Sequence, residues 1–197
     1  MKIPKMRPSK EWKEGLHDLC KDLKKKGVKS IAEIGCYAGE GTCILAEYFD
    51  VVYAIDPWCG GYDDTDVCST SDMASVEYTF HINCEFVYDE IIQKYKMTSQ
   101  DAADLFKKEG RRVDAVYIDA IHTYHAVKKD IELWYPIVDI AISGHDAEFD
   151  LVRVSDSPCK QAVGMAILEW LYSHDITEVP KTYKDTSWVI WIEDLLE

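Results

Sequence analysis

The sequence has no apolar run approaching the ~18 residues of a membrane helix, so a helical span is excluded. It also has no Cys-x-x-Cys pair. Its seven cysteines, at 20, 36, 43, 59, 68, 84 and 159, are odd in number. Neither a disulfide framework nor a zinc-finger pattern fits that count and spacing. They read as reduced, mostly buried small side chains, with Cys59 and Cys68 the one pair worth checking because they flank a polar stretch. The N-terminus, MKIPKMRPSKEWK, is basic but has no apolar signal core, which points to a cytoplasmic protein. Positive charge is scarce: 22 Lys/Arg stand against 36 Asp/Glu, for a net charge of −14. Residues 1–29 hold ten Lys/Arg and four Asp/Glu, a local +6, which leaves −20 for the rest. Such an acidic body repels nucleic acid, and a nucleic acid partner is disfavoured. Lys21 to Lys26 read as a solvated helix face. There are no internal repeats or low-complexity segments.

What is present suits one domain over 1–197, with a basic segment and helix in 1–27. Hydrophobic residues make up 47%, enough for a sizeable core. The centre of the sequence is Ile31 to Thr42, IAEIGCYAGEGT. A short apolar run reaches Glu33, then Gly35 and a small-residue turn, and an apolar helical pattern follows from Cys43 to Phe49. This reads as strand, tight loop, helix. Glycine allows positive φ there and a close approach to a ligand, and the helix start offers free N–H groups. The glycine order is G-x-x-x-G-x-G, whereas a dinucleotide fold wants G-x-G-x-x-G with a pyrophosphate on the helix. A pyrophosphate has no use for the Glu33 carboxylate, but a cationic ligand with an amino group does. A second apolar run, Val51 to Ile55, ends in Asp56-Pro57-Trp58, and Asp56 lies 21 residues after Gly35. That position suits a ribose-binding carboxylate, and the ribose is common to S-adenosylmethionine (SAM) and NAD.

Along the chain, Ser9 caps a helix to about Lys26, with Trp12, Leu16, Leu19 and Leu23 on its apolar face and Gly27 as its stop. Val28 to Ile34 is the first strand. Residues 59–72 form a polar loop that either shapes a pocket or is a plain surface excursion. A helix is expected over Ala74 to Asp89 and a short strand within Gln93 to Met97. Thr98 to Asp101 looks like a helix cap. Val113 to Asp119 is a strong strand, followed by a helix with Val127, Ile131 and Trp134 on one side. Asp139 to Ser143 is the fifth strand. Ser157-Pro158 starts another helix. Thr186 to Glu193 reads as a strand, partnered by Ile176 to Tyr183 at an edge because of Pro180. Strands alternating with helices argue for a mostly parallel α/β sheet with ligands at the strand carboxyl ends. Glu33, Asp56, Asp119 and Asp146 then share one rim, which suggests a bound cation.

Two separated stretches carry a family resemblance. Glu33 to Thr42 resembles motif I of class I SAM-dependent methyltransferases. YIDAIHTYHAVKKDIELWYPIV with SGHD, from Tyr117 onward, resembles the distal half of small O-methyltransferases, including bacterial and phage relatives. The likeness runs from about Ser30 to Trp191. It implies a Rossmann-like, mostly parallel seven-stranded sheet with helices on both faces, and methyl transfer from SAM to a small-molecule acceptor at a hydroxyl oxygen. SAM would be held by Glu33, Gly35, Tyr37, Ala38, Gly39, Gly41, Thr42, Asp56, Trp58 and Asp119, with Ser99 and Gln100 on the adenine side.

By the same resemblance, Asp119, His145 and Asp146 match the positions that hold a divalent metal, Mg²⁺ or Mn²⁺, in the catechol and caffeoyl-CoA types. His122 stands where those enzymes have a lysine base, so His122 and Asp119 are the catalytic candidates. The sequence departs from that pattern in two ways. His145 replaces an oxygen ligand, which suits Mn²⁺, Fe²⁺ or Zn²⁺ better than Mg²⁺. The usual glycine pair before the fifth strand is replaced by Val138-Asp139-Ile140-Ala141. Asp119-Ala120-Ile121-His122 also lacks the Asn/Asp-Pro-Pro-aromatic motif of DNA amino-methyltransferases. A non-catalytic SAM-binding module and an NAD-dependent oxidoreductase are the alternatives. A homodimer through the N-terminal helix or the last strand is compatible with the sequence.

Overall fold

In the computed structural model, residues 13–61, 68–149 and 158–192 are described. Among these residues, seven strands form one sheet in the order β3-β2-β1-β4-β5-β7-β6. They are β1 (Ser30–Ile34), β2 (Val51–Ile55), β3 (Ile92–Tyr95), β4 (Val113–Ile118), β5 (Val138–Gly144), β6 (Lys181–Thr182) and β7 (Trp188–Trp191). The first five are parallel, whereas β7 runs antiparallel to β5 and β6 antiparallel to β7. The α-helices among the described residues are α1 (Glu14–Lys25), α2 (Glu40–Ala46), α3 (Met73–Phe80), α4 (Ser99–Lys108), α5 (Tyr124–Trp134) and α6 (Pro158–Ser173).

Alternation along the strands sends successive side chains to opposite faces of the sheet. Ile31, Ala115, Ala141 and Val189 join one core with Leu16 and Leu19 of α1, Leu45 of α2 and Phe80 of α3. Their chain neighbours Ala32, Val116, Ile142 and Ile190 join the other core, with Phe106 of α4, Trp134 of α5 and Trp170 of α6. Both faces are covered, which is why the central strands read as continuous apolar runs. The reversal of strand order lies between β1 and β4, and a crevice opens beside it at the strand carboxyl ends.

Several element bounds differ from the sequence reading. β1 starts at Ser30, because the Lys29 and Ser30 N–H groups both donate to the Asp114 carboxylate at 2.8 Å. α2 begins at Glu40, three residues before its apolar pattern, directly on Gly39. α3 gives way at His81 to a π-helical segment, His81–Glu85, instead of continuing to Asp89. β6 keeps only two residues of Ile176–Tyr183, at the sheet edge next to Pro180. Thr98, Thr123 and Asp72 cap their helices with side-chain oxygens. The expected caps Ser9 and Ser157 lie outside the described residues, as do Trp12, Glu193 and the tip of the polar loop (62–67).

Candidate active site

The ends of β1, β2, β4 and β5 converge on one cavity of about 1110 Å³. That exceeds the ~300–1,000 Å³ of an ordinary small-ligand pocket and has room for two reactants side by side. Glu33, Asp56, Asp119 and Asp146 all line it.

The loop after β1 is built by close backbone contacts. Gly35 has φ +91°, and a Cβ there would lie 2.5 Å from the Asp119 carbonyl oxygen and 2.6 Å from Ala120 Cα. Glu33 is buried, accepts a short hydrogen bond from the Thr42 hydroxyl, and has Gly41 against its other oxygen, where a Cβ would fall 2.3 Å from Oε1. Burial pushes the Glu33 carboxyl up to about 7, against the pull of the Thr42 bond. A carboxylate so placed gains most when a cation comes to it.

Asp56 organises the second strand end. Its Oδ2 accepts from the Tyr37 N–H at 3.0 Å and its Oδ1 from the Trp58 N–H at 2.6 Å. Burial still raises its pKa above the usual value. The Cys36 backbone N–H also bonds this carboxylate, and the acceptor capacity that remains can take a ligand hydroxyl. The Trp58 indole donates to the Tyr37 carbonyl at 2.9 Å, meets the Phe80 ring at a tilt of 59° with centroids 4.9 Å apart, and has the Lys94 ammonium over it at 4.8 Å. Trp58, Gly39 and Thr42 stand behind the cavity wall; Gly35, Tyr37, Ala38 and Gly41 form it. At the far end, the Ser99 hydroxyl accepts from Trp134 Nε1 at 3.0 Å and bonds the Asp130 carboxyl, which burial raises to about 6. Asp130 lines the cavity with Ser99 and Gln100.

Beyond β4 and β5 lies a charged cluster. Asp119 Oδ1 is 3.2 Å from His122 Nε2 and 3.7 Å from His145 Nδ1, and Asp119 Oδ2 accepts from Lys13 Nζ at 3.1 Å. Burial alone would raise the Asp119 pKa, but Lys13, His122 and His145 hold it well below the usual range. Asp146, at φ +57°, faces His145 Nδ1 at 3.3 Å, His122 Nε2 at 3.7 Å and Lys160 at 3.7 Å, and accepts from Thr186 at 3.2 Å. Its pKa is also lowered, burial being outweighed by His145 and His122.

A family model described as a methyltransferase domain matches residues 32–146. The chain belongs to that methyltransferase family. The matched span opens on the second residue of the β1 apolar run and closes on Asp146, so it takes in both ends of the cavity. Solved structures of similar fold include an O-methyltransferase from Bacillus cereus in complex with SAH (TM-score 0.56, 14% identity, covering 95% of this chain and 82% of that one). TomG from Streptomyces achromogenes, an O-methyltransferase of tomaymycin synthesis in complex with SAM, matches with a TM-score of 0.60 at 9% identity over 88% and 76% of the two chains. The calicheamicin methyltransferase CalS11 matches with a TM-score of 0.63 at 11% identity over 95% and 81%. At such identities the likeness establishes the fold. A comparison with the curated proteins finds no match. Among the described residues, no helix is long and apolar enough to cross a membrane.

A divalent metal does not fit this methyltransferase as the resemblance suggested. Among the described residues no three His, Cys, Asp or Glu side chains form a metal-holding group. Asp119 is taken by the Lys13 ammonium and Asp146 has Lys160 beside it. His145 turns Nδ1 to the two carboxylates, while its Nε2 is buried without a hydrogen-bond partner among the described residues. Lys13 was invisible to sequence reasoning, being 106 residues from its partner. It is set in place by Asp185, on the β6–β7 connection, which accepts the Leu16 N–H at 2.8 Å at the start of α1. Asp130 was legible only as a polar position on α5, and Lys160 and Thr186, which reach Asp146, carried no signal.

Proposed function

We propose that the protein transfers a methyl group from SAM to a hydroxyl oxygen of a small-molecule acceptor, without a metal. The observation that carries this reading is one continuous cavity joining the Glu33–Gly41 loop to the Asp119–His122–His145–Asp146 cluster. Glu33 and the loop receive the amino-acid half of the donor, Asp56 the ribose hydroxyls, and Ser99, Gln100 and Asp130 the adenine. The sulfonium supplies an activated methyl group, so the protein has mainly to align donor and acceptor and remove one proton.

His122 is the group for that proton. Its Nε2 faces the Asp119 carboxylate at 3.2 Å, which favours the protonated ring. As the acceptor hydroxyl attacks the methyl carbon, its proton passes to the imidazole and the imidazolium is stabilised by Asp119. Lys13 keeps Asp119 ionised throughout, in the place a metal would have taken. His145 and Asp146 orient the acceptor.

Isothermal titration with SAM, SAH and NAD tests the reading. Micromolar binding of the adenosyl ligands, unchanged by Mg²⁺ or Mn²⁺ and lost in Asp56→Ala, is expected. NAD binding in place of SAM would favour an oxidoreductase, and no adenosyl binding at all would sink the proposal.

A further inference from the structure

Behind the glycine loop lies a pair of thiols that methyl transfer does not use. Cys43 Sγ on α2 is 3.1 Å from Cys84 Sγ on the π-helical segment, 41 residues further along the chain. Each thiol has a backbone carbonyl as acceptor: Cys43 donates to Asn83 O at 3.4 Å and Cys84 to Gly39 O at 3.3 Å. The two sulfurs lie within contact distance of each other, and each also has a carbonyl within reach of its S–H. Cys43 is partly exposed, whereas Cys84 is fully buried.

We propose that Cys43 and Cys84 are a modification site, an oxidant-reactive dithiol that closes to a disulfide against the SAM loop. The oxidant is a peroxide. Cys43, the accessible member, gives up two electrons to the O–O bond, forming a sulfenic acid and one water. Cys84 then attacks the Cys43 sulfur, the S–O bond breaks, and the thiol proton leaves with the hydroxyl as a second water. The sulfurs need to move about 1 Å to reach disulfide distance.

The consequence reaches the cofactor loop. Gly39 is the N-cap of α2 at φ +92°, and a Cβ there would lie 2.0 Å from Cys84 Sγ. Oxidation removes the S–H that Cys84 donates to the Gly39 carbonyl and ties α2 to the segment continuing α3, whose first residue, Met73, lines the cavity. The oxidised form therefore binds the donor less well.

The test is peptide mapping of the full-length protein after hydrogen peroxide, with thiol counting in denaturant. Expected are a linked Cys43–Cys84 peptide, a fall from seven thiols to five, and full reversal by dithiothreitol. Cys84→Ser should instead accumulate a Cys43 sulfenic acid trapped by dimedone. A Cys59–Cys68 link, or Cys43 oxidised while Cys84 stays free in the wild type, overturns the proposal. SAH affinity at least threefold lower in the oxidised protein is expected, and an unchanged affinity overturns the coupling to the loop. That last readout rests on the SAM reading, whereas the peptide map needs no ligand, so the two failures are distinguishable.

Discussion

Lys13 Nζ lies 3.1 Å from Asp119 Oδ2, with both side chains less than one-fifth exposed. The pair fastens the start of α1 to the end of β4 and supplies positive charge at the Asp119 end of the cavity. It exists because Asp185 caps α1 from the β6–β7 connection and Lys184 pairs with Glu14 at 2.6 Å.

Lys13→Met is expected to destabilise the fold by about 2–4 kcal/mol, because it leaves a carboxylate enclosed without its ammonium. Asp119→Asn in the same background should recover part of that loss, and a double-mutant cycle in urea measures it. A coupling near zero would mean that the pair is ornamental. The Asp119 pKa is depressed in the folded state, so its contribution is present above the unfolded carboxylate range and lost as pH falls through the lowered value. Removing Lys13 moves that acid limb to higher pH.

Glu33 has the opposite sign. With a folded pKa raised to about 7, the native state holds more protons than the unfolded chain between the usual glutamate value and 7. Stability from this group therefore falls as pH rises through that window. SAM affinity should rise across it, since the ionised form attracts the donor's amino group. Titrations between about pH 6 and pH 8 check this, and Glu33→Gln should flatten the profile.

Asp130→Asn should raise stability above neutral pH by about 1–3 kcal/mol, since a carboxyl raised to about 6 is charged there against its buried surroundings. The gain should vanish below about pH 4, where both states hold the proton. Denaturant midpoints at the two pH values decide it. If Asp130 instead holds the adenine, the stabilised variant binds SAH more weakly.

Gly35→Ala places a Cβ against the Asp119 carbonyl and Ala120 Cα, both backbone atoms, at a φ of +91°. Neither neighbour can yield cheaply, and a cost of about 2–4 kcal/mol is expected. Thermal melting measures the loss, and SAH binding should fall with it even well below the transition.

The local sequence determined the strand–loop–helix units, because a buried parallel strand is a short apolar run and a tight phosphate-free loop needs glycine at positive φ. Val51–Ile55 was legible to the residue, and the four rim acids followed from the α/β alternation. Helix bounds were less legible, because capping and π-helical distortion answer to contacts such as Gly39 with Cys84 rather than to periodicity. The metal reading came from residue types at family positions, and the Lys13–Asp119 ion pair that bears on it joins residues far apart in the chain. Lys13 at Asp119, the Ser99–Asp130 bond and the facing thiols of Cys43 and Cys84 were decided only by tertiary structure. Each joins side chains on different elements, whose meeting depends on how helices dock on the sheet, and no local pattern of charge or hydropathy records that docking.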